Sequence, residues 1–471
     1  MKFGTSGLRG LVSDLLGPDT ARYAMAFGGY LLSTKQARLG SKIYVGGDLR
    51  LSTPQIMVTC MNALEKVGLS PVDCGFLPTP ALALHAMSNK AACLMVTGSH
   101  IPADRNGIKF YTPHGEITKA DEGAITALAL DRLTEVQDIS PARRFDVEQD
   151  AELLFLERNK MLLPEKALTK LRIGVYQHST VARDTLVSVL KYHGADVIPL
   201  GRSNEFIPVD TEAVPESLVK LFKHWADMHH LDAIVSADGD GDRPLVTDEN
   251  GDVVRGDALG VLVARFLSAD VVATPVTSSS GVETSGRYRV IRTKVGSPYV
   301  IEGMAGACEA SSHSVMGFEA NGGVLLASTI DCIGRVLQPL PTRDSFLPIL
   351  VALHTAASQR KRLSLVVSAL KLPVALSDRI ESFPIEESAA LMTRLRAGPD
   401  QLAEFLEPIG RITHVSDVDG LRITVNAGEV VHIRPSGNAP EMRCCVEAEN
   451  RGRAEALLLR VMELIAAARA R

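Results

Sequence analysis

The chain has 471 residues, of which 46% are hydrophobic and 22% are charged, and its formal net charge at pH 7 is −5. This globular composition excludes intrinsic disorder, collagen and coiled coil. A weakly acidic chain is also a poor candidate for sequence-independent nucleic-acid binding, which needs many cations to neutralise phosphates.

Strands and helices alternate through most of the chain, which predicts α/β domains with mostly parallel sheets. The length indicates about three domains, although two or four also fit. The apolar periodicity fades near 138–150, where we place a boundary, and three α/β segments of similar size suggest a duplicated fold. We predict strands at 42–46, 92–96, 171–176, 195–200, 231–236, 270–274 and 315–318, helices at 54–67, 181–192, 217–228, 258–266 and 343–357, and a hairpin at 245–256.

The last hundred residues have a different pattern. Strand signals crowd together at 421–425, 430–433 and 443–447, and an Ala/Leu-rich helix is predicted at 452–470. This indicates a small α+β domain. The seven scattered cysteines form no C-x-x-C motif, so we expect reduced thiols in a cytoplasmic protein. We find neither a signal peptide nor the roughly 18 continuous apolar residues of a membrane span.

The first loop whose residues could take part in catalysis is TGSHIP, residues 97–102, directly after the predicted strand 92–96. Ligands of open α/β sheets bind at the carboxyl ends of strands. A hydroxyl beside a histidine, here Ser99 and His100, suggests a nucleophile. The alternative is that Ser99 only caps a turn. A hydrolase triad is disfavoured because no G-x-S-x-G motif surrounds the serine.

The second loop, DGDGDR, places Asp238, Asp240 and Asp242 after the strand 231–236. Hard oxygen ligands at this spacing suit Mg²⁺ or Ca²⁺. An EF-hand is rejected because Arg243 occupies the position where the calcium loop needs glycine, and a strand precedes the loop. A solvated acidic turn is the alternative, but three neighbouring carboxylates repel one another without a cation. We favour a Mg²⁺ site.

Two further loops offer groups for sugars and phosphates. Glu319 and Asn321, after the strand 315–318, can hydrogen-bond sugar hydroxyls, although a glycine-rich surface turn fits equally well. The segment 434–443 combines basic, hydroxyl and amide groups on a kinked backbone, which predicts a phosphate cradle. Its candidate ligands are Arg434, Ser436, Gly437, Asn438 and Arg443.

These loops together resemble the α-D-phosphohexomutase superfamily, and the match spans the chain. The N-terminal GTSGLRG contains Arg9, VGGDLRLS is similar to a G-x-D-x-R-x-S element, and TGSHIPADRNGIK ends in Lys109. DGDGDR corresponds to the metal loop, FEANGG to the sugar loop and RPSGNAPEMR to the phosphate loop. The pattern looks most like the bacterial phosphomannomutase branch.

The resemblance implies a fold and a set of domains. We expect three α/β domains of similar topology, each with a mixed sheet between helices, and a C-terminal α+β domain around a central cleft. The expected bounds are 1–145 with the serine loop, 146–252 with the metal loop, 253–362 with the sugar loop and 363–471 with the phosphate loop.

The resemblance also implies a reaction. Ser99 would carry a phosphoryl group, one Mg²⁺ per chain would be held by the three aspartates and Ser99, and Arg9, His100 and Lys109 would surround the transferring group. Arg243, Glu319, Asn321 and the 434–443 loop would bind the hexose phosphate. A hexose 1,6-bisphosphate would be the intermediate between mannose 6-phosphate and mannose 1-phosphate, which supplies GDP-mannose. The expected assembly is a monomer or homodimer with no nucleic-acid partner.

This sequence departs from the family pattern in the sugar loop. Many bacterial members have Glu-x-Ser-Gly-His there, whereas this chain has Asn321 in place of the serine and Gly323 in place of the histidine. The alternatives are therefore a phosphoglucomutase or dual-specificity mutase, a non-catalytic sugar-phosphate-binding protein, and a phosphoserine hydrolase or transferase. The retained serine, lysine and aspartates favour an active mutase.

Overall fold

Four larger β-sheets with their flanking helices follow one another along the described part of the chain, and we refer to them as the first to fourth domains; a separate two-stranded sheet at 330–337 belongs to the third. The computed structural model describes residues 2–4, 7–131, 147–310, 314–332, 334–426, 428–436 and 440–469. No helix among these residues is long and apolar enough to cross a membrane.

The first domain has a mixed sheet in the order β1-β2-β6-β5-β3-β4, with β7 paired to β6. Every residue of its central strand β5 is buried, as expected for a strand covered by helices on both faces. Its strands are β1 Lys2–Phe3, β2 Leu8–Leu11, β3 Lys42–Gly47, β4 Ser70–Phe76, β5 Ala92–Val96, β6 Arg105–Thr112 and β7 Gly115–Glu116, and its helices are α1 Val12–Leu15, α2 Pro18–Ser33, α3 Thr53–Lys66, α4 Thr79–Ser88 and α5 Lys119–Asp131.

The second and third domains have sheets in the orders β11-β10-β8-β9 and β13-β12-β14-β15-β18. The second contains α6 Asp150–Leu162, β8 Arg172–His178, α7 Arg183–Tyr192, β9 Asp196–Arg202, α8 Glu216–His229, β10 Ala233–Ala237 and β11 Pro244–Thr247. The third contains α9 Gly256–Phe266, β12 Val271–Pro275, β13 Arg289–Thr293, α10 Ser297–Glu309, β14 Val315–Phe318, β15 Val324–Leu326, β16 Ile330–Cys332, β17 Arg335–Leu337, β18 Leu340–Asp344, α11 Phe346–Gln359 and α12 Leu363–Ser368.

The same four-strand order recurs in these three domains, which confirms the expected similar topology. Three parallel strands and one antiparallel strand are arranged as β4-β3-β5-β6, β9-β8-β10-β11 and β13-β12-β14-β15. The serine, metal and sugar loops each join the third parallel strand to the antiparallel strand. The three predicted loops therefore occupy one equivalent position in the repeated topology.

The fourth domain is an antiparallel sheet in the order β19-β23-β22-β21-β20, covered by helices. Its buried side chains form a cluster of their own, whereas one large cluster runs through the first three domains. This confirms the predicted α+β class. Its elements are β19 Val374–Ile380, α13 Ile385–Arg396, α14 Pro399–Leu406, β20 Ile412–Ser416, β21 Leu421–Val425, β22 Glu429–Pro435, β23 Met442–Ala448 and α15 Arg451–Arg469.

Two predicted elements were wrong in their extent. The helix expected from Arg343 begins only at Phe346, because the Asp344 carboxylate accepts the backbone N–H groups of the first helical turn. Arg343 instead lies in β18. The hairpin expected at 245–256 is reduced to a single bridge between Thr247 and Val253, and β11 pairs with β10.

We expect Phe346→Ala to destabilise the protein by about 3–5 kcal/mol. Phe346 is fully buried in the cluster shared by the first three domains and contacts Phe155 edge to face at 4.9 Å. Urea unfolding of the full chain measures this loss. The control Leu459→Ala removes a side chain that is 64% exposed and should stay within about 0.5 kcal/mol of wild type. A loss below about 1 kcal/mol for Phe346→Ala would contradict the assigned core.

Candidate active site

The serine loop leaves the end of β5 and turns sharply at Ser99, which has a φ of 55°. This left-handed conformation is costly for a non-glycine residue. The Ser99 amide donates to Thr97 Oγ1 at 2.7 Å, and its hydroxyl donates to Asp238 Oδ2 at 2.5 Å. The loop thus aims the hydroxyl of the first domain at the metal loop of the second.

Arg50 holds the serine loop in place by hydrogen bonds to its backbone. This arginine is buried, its Nε donates to Asp48 Oδ2 at 3.2 Å, and its guanidinium lies 3.9 Å from the ring centre of Phe206. Its terminal nitrogens donate at 2.6–3.0 Å to the carbonyl oxygens of Ser99, Ile101, Pro102 and Arg105. One side chain therefore binds three backbone carbonyls of the loop and one at the start of β6, and these bonds help to hold Ser99 in its strained conformation.

The metal loop follows β10 and is fully buried. Carboxylate oxygens of Asp238, Asp240 and Asp242 lie within 4.8 Å of one another. Burial, together with the charges of Asp240 and Asp242, raises the pKa of Asp238 well above its usual range. Such repulsion is relieved by a bound cation.

The donor set fits a hard divalent metal. Oδ1 of Asp240 and Oδ1 of Asp242 are buried and accept no hydrogen bond in the described part of the chain. Their other oxygens are engaged: Asp240 Oδ2 accepts from Thr79 and Lys109, and Asp242 Oδ2 accepts from Lys109, each at 2.5 Å. The free oxygens are the hard ligands that Mg²⁺ prefers.

Lys109, on β6, places its own ammonium group against the carboxylates of the metal loop. Burial lowers the pKa of its ammonium, but Asp240 and Asp242 outweigh that effect, so the pKa is raised and the group stays charged. Burial, followed by the charges of Arg243 and Arg343, lowers the pKa of Arg9 to about 10, which places Arg9 beside the same cluster.

His100 and Arg243 lie beside the Ser99 hydroxyl. Arg243 Nη1 lies 3.1 Å from His100 Nδ1, and the Ser99 hydroxyl lies 3.3 Å from the same nitrogen. Because a guanidinium can only donate, Nδ1 is the acceptor and the imidazole proton sits on Nε2. Burial, and then the charge of Arg243, lowers the pKa of His100 to about 4, so the ring is neutral at pH 7.

The sugar loop follows β14, with Glu319 and Asn321 each 5% exposed. The Asn321 side chain accepts the Gly323 amide at 2.9 Å, which tightens the turn. Glu319 accepts from Arg343, and Arg343 also donates to Asp242 at 2.8 Å. The sugar loop is thereby connected to the metal loop.

The phosphate loop joins β22 to β23. The Ser436 amide donates to the Glu441 carbonyl at 2.9 Å, and the Arg443 side chain, 45% exposed, lies 3.3 Å from the Glu441 carboxylate. Arg434 pairs with Asp419 at 3.3 Å, and Asp419 also accepts the Val295 amide of the third domain at 3.0 Å. The predicted ligands Gly437 and Asn438 lie outside the described residues.

Three protein-family models match this chain, and each is described as a phosphoglucomutase/phosphomannomutase alpha/beta/alpha domain. Domain I matches residues 1–134, domain II residues 155–251 and domain III residues 255–372. The chain belongs to this family. It is 51% identical to a phosphomannomutase of Sinorhizobium fredii over 97% of both chains, and 41% identical to a phosphomannomutase of Salmonella muenchen over 96% of this chain and 92% of the relative.

A solved family structure shares the fold. A phosphoglucomutase/phosphomannomutase family protein from Burkholderia thailandensis superposes with a TM-score of 0.77 at 21% sequence identity. The match covers 98% of this chain and 97% of that chain. The four-domain phosphohexomutase architecture expected from the loop motifs is therefore confirmed.

Sequence reasoning missed several residues of this family site. Arg343 and Thr79 contact the metal loop from outside any motif, and no local signal marks them. Glu212 is the third: desolvation raises its pKa, and Arg243 and Arg443 oppose the rise, although its side chain is solvent-accessible. The Glu212 carboxyl therefore interacts electrostatically with Arg243 and Arg443, and it lies in a segment for which the sequence predicted no helix or strand.

We expect Arg50→Lys to lower kcat for the family reaction about 10–100-fold, because one ammonium cannot replace the four guanidinium hydrogen bonds to backbone carbonyls at 99–105 together with the one to Asp48. Steady-state kinetics of the folded variant measures the loss. Arg265→Lys is the control, since among the described residues the Arg265 side chain donates only to the Ser285 carbonyl, which lies outside the site. An unchanged kcat in Arg50→Lys would show that the loop keeps its geometry without the clamp.

Proposed function

We propose that this protein is a phosphomannomutase that interconverts mannose 6-phosphate and mannose 1-phosphate and so supplies GDP-mannose. The observation that carries the proposal is the Ser99 hydroxyl, which lies 2.5 Å from a carboxylate oxygen of a buried three-aspartate cluster. Among the described residues, two oxygens of this cluster accept no hydrogen bond. The names of the two similar relatives support mannose phosphates as substrates.

One Mg²⁺ per chain is proposed to be held by Asp238, Asp240 and Asp242 together with the phosphorylated Ser99. When bound, the ion withdraws charge from phosphoryl oxygens and orients them. Phosphoryl transfer depends mainly on positioning and charge stabilisation.

The chain's own cations fit the proposed transfer. Lys109 and Arg243 lie against the carboxylates and can neutralise charge that develops on the phosphoryl group, and Arg9 and His100 complete the proposed surround. In the first half-reaction the Ser99 Oγ–P bond breaks and a bond from phosphorus to the free sugar hydroxyl forms, while the hydroxyl proton passes to a base. The departing Ser99 Oγ takes up a proton, and the products are a hexose 1,6-bisphosphate and the free Ser99 hydroxyl.

The second half-reaction needs a second anion site. We propose that Arg434, Ser436, Gly437, Asn438 and Arg443 bind the distal phosphate while Glu319 and Asn321 bind sugar hydroxyls. The bisphosphate turns over, its other phosphate returns to Ser99, and the isomeric monophosphate leaves. The separate core of the fourth domain supports its movement as a lid that retains the bisphosphate.

Phosphoglucomutase activity is the second candidate, because mannose and glucose differ only at C2 and the matching family descriptions name both activities. The domain bounds 1–145, 146–252, 253–362 and 363–471 stay predictions, as do the cytoplasmic location and a monomeric or homodimeric state. The boundary at 145 falls among residues outside those the structure describes.

We expect Ser99→Ala to lower turnover of mannose 1-phosphate by about 10³-fold or more, because the covalent phosphoryl donor is lost. A coupled assay with added bisphosphate measures the loss, and glucose and glucosamine 1-phosphates assayed in parallel define the sugar preference. The exposed Ser358→Ala is the control. Intact-mass analysis should show one phosphoryl group in wild type, mapped to Ser99. If the wild-type protein turned over none of the three sugar phosphates, the proposed mutase activity would be refuted.

We expect Asp240→Asn to weaken Mg²⁺ binding about tenfold or more without unfolding the protein. The substitution removes a charged ligand oxygen but keeps the shape of the side chain. Isothermal titration with Mg²⁺ measures the affinity independently of activity. Asp196→Asn, whose carboxylate is 69% exposed, is the control. Equal Mg²⁺ affinity in Asp240→Asn and wild type would argue against the metal site.

A further inference from the structure

Gly323 ends the sugar loop where β15 begins. Its backbone lies outside the left-handed region, so conformation alone does not require glycine there. A Cβ on Gly323 would lie 2.8 Å from both Cγ and Cδ of Arg343 and 3.0 Å from its Cβ. These distances are too short for ordinary contact, so glycine is needed to leave room for the Arg343 stem.

Arg343 reaches the active site from β18, which pairs with β15 beside this glycine. The residue is only 2% exposed. Its Nε donates to Asp242 Oδ2 at 2.8 Å, and its Nη1 donates to Glu319 Oε2 at 3.0 Å. One planar group therefore bridges the metal loop of the second domain and the sugar loop of the third.

This bridge also sets the orientation of Asp242. Its Oδ2 accepts from both Arg343 and Lys109, while the buried Oδ1 accepts no hydrogen bond among the described residues. A guanidinium stays charged in proteins and donates in fixed directions within its plane. Arg343 therefore holds one oxygen of Asp242 and leaves the other to the metal.

We propose that Arg343 is a positioning residue of the active centre, which fixes the Asp242 and Glu319 carboxylates relative to each other, and that Gly323 is glycine in order to admit it. The histidine of the family pattern would begin at position 323, in the space that the Arg343 stem fills here. Because a guanidinium does not accept a proton, Arg343 acts through charge and geometry. The inference rests on the proposed function, which assigns metal to Asp242 and sugar to Glu319.

Substitution of Arg343 tests the bridge directly. Arg343→Lys keeps the charge but loses the planar fork, and Arg343→Ala loses both. We expect kcat/KM for mannose 1-phosphate to fall about tenfold in Arg343→Lys and about 100-fold or more in Arg343→Ala. Thermal unfolding of each variant distinguishes a loss of catalytic efficiency from a loss of stability. A merely structural role would lower the melting temperature but leave kcat/KM per folded molecule unchanged.

Gly323→Ala tests the steric half of the proposal. In the wild-type background the added methyl group must displace Arg343, and we expect about a tenfold loss in kcat/KM. In the Arg343→Ala background the same methyl group finds free space, and we expect less than about a twofold further loss. Gly306→Ala in α10 is the matched control, because a Cβ there has no neighbouring atom within 4 Å.

The outcomes separate this inference from the proposed function. Wild type without turnover on any hexose phosphate overturns the proposed function and the inference with it. An active wild type with unchanged kcat/KM in both Arg343 variants overturns the inference alone. Equal losses from Gly323→Ala in both backgrounds also overturn it, because the glycine would then be needed for something other than the arginine.

Discussion

Three fully buried carboxylates within 4.8 Å of one another are the constraint on which this molecule depends. Buried charges of one sign are costly unless cations lie close to them. The first domain contributes Lys109, the second contributes Arg243 and the third contributes Arg343. The charge cluster is therefore balanced only when the three domains are assembled, and the free oxygens that remain point to a further cation. The charge balance of this cluster therefore depends on the packing of the three domains against one another.

The repeated topology explains how the catalytic loops meet. Each of the first three sheets places a loop between its third parallel strand and its antiparallel strand, and these loops carry Ser99, the three aspartates and Glu319. In α/β sheets the carboxyl ends of parallel strands are where ligands bind. Three copies of one arrangement thus supply a hydroxyl, a cluster of three carboxylates and the Glu319 carboxylate to one cleft, as the proposed function requires. The fourth domain has its own core and contacts the third domain where Asp419, the partner of Arg434, accepts the Val295 amide.

Much of this site could be predicted because each loop is contiguous and directly follows a buried strand. Ser99, Lys109 and the aspartates were all placed in motifs, and the structure brings them within hydrogen-bond distance. Arg343 was assigned to a helix because the apolar run that follows it continues without interruption, and only the Asp344 carboxylate marks the true start of α11. The role of Arg50 was hidden for another reason, since its partners are backbone carbonyls about fifty residues away.

The sequence by itself determined the family and the class of each domain, and it predicted a chemistry for each loop, because these depend on short-range patterns of apolar, acidic and glycine residues. Only the tertiary structure decided which side chains from different domains share one charge cluster and which oxygens of Asp240 and Asp242 accept no hydrogen bond among the described residues. It also decided why position 323 lacks a side chain, since the reason is the volume of an arginine on a neighbouring strand. Burial and Coulomb interactions act between groups that are close in space, and their distance along the chain carries no record of that proximity.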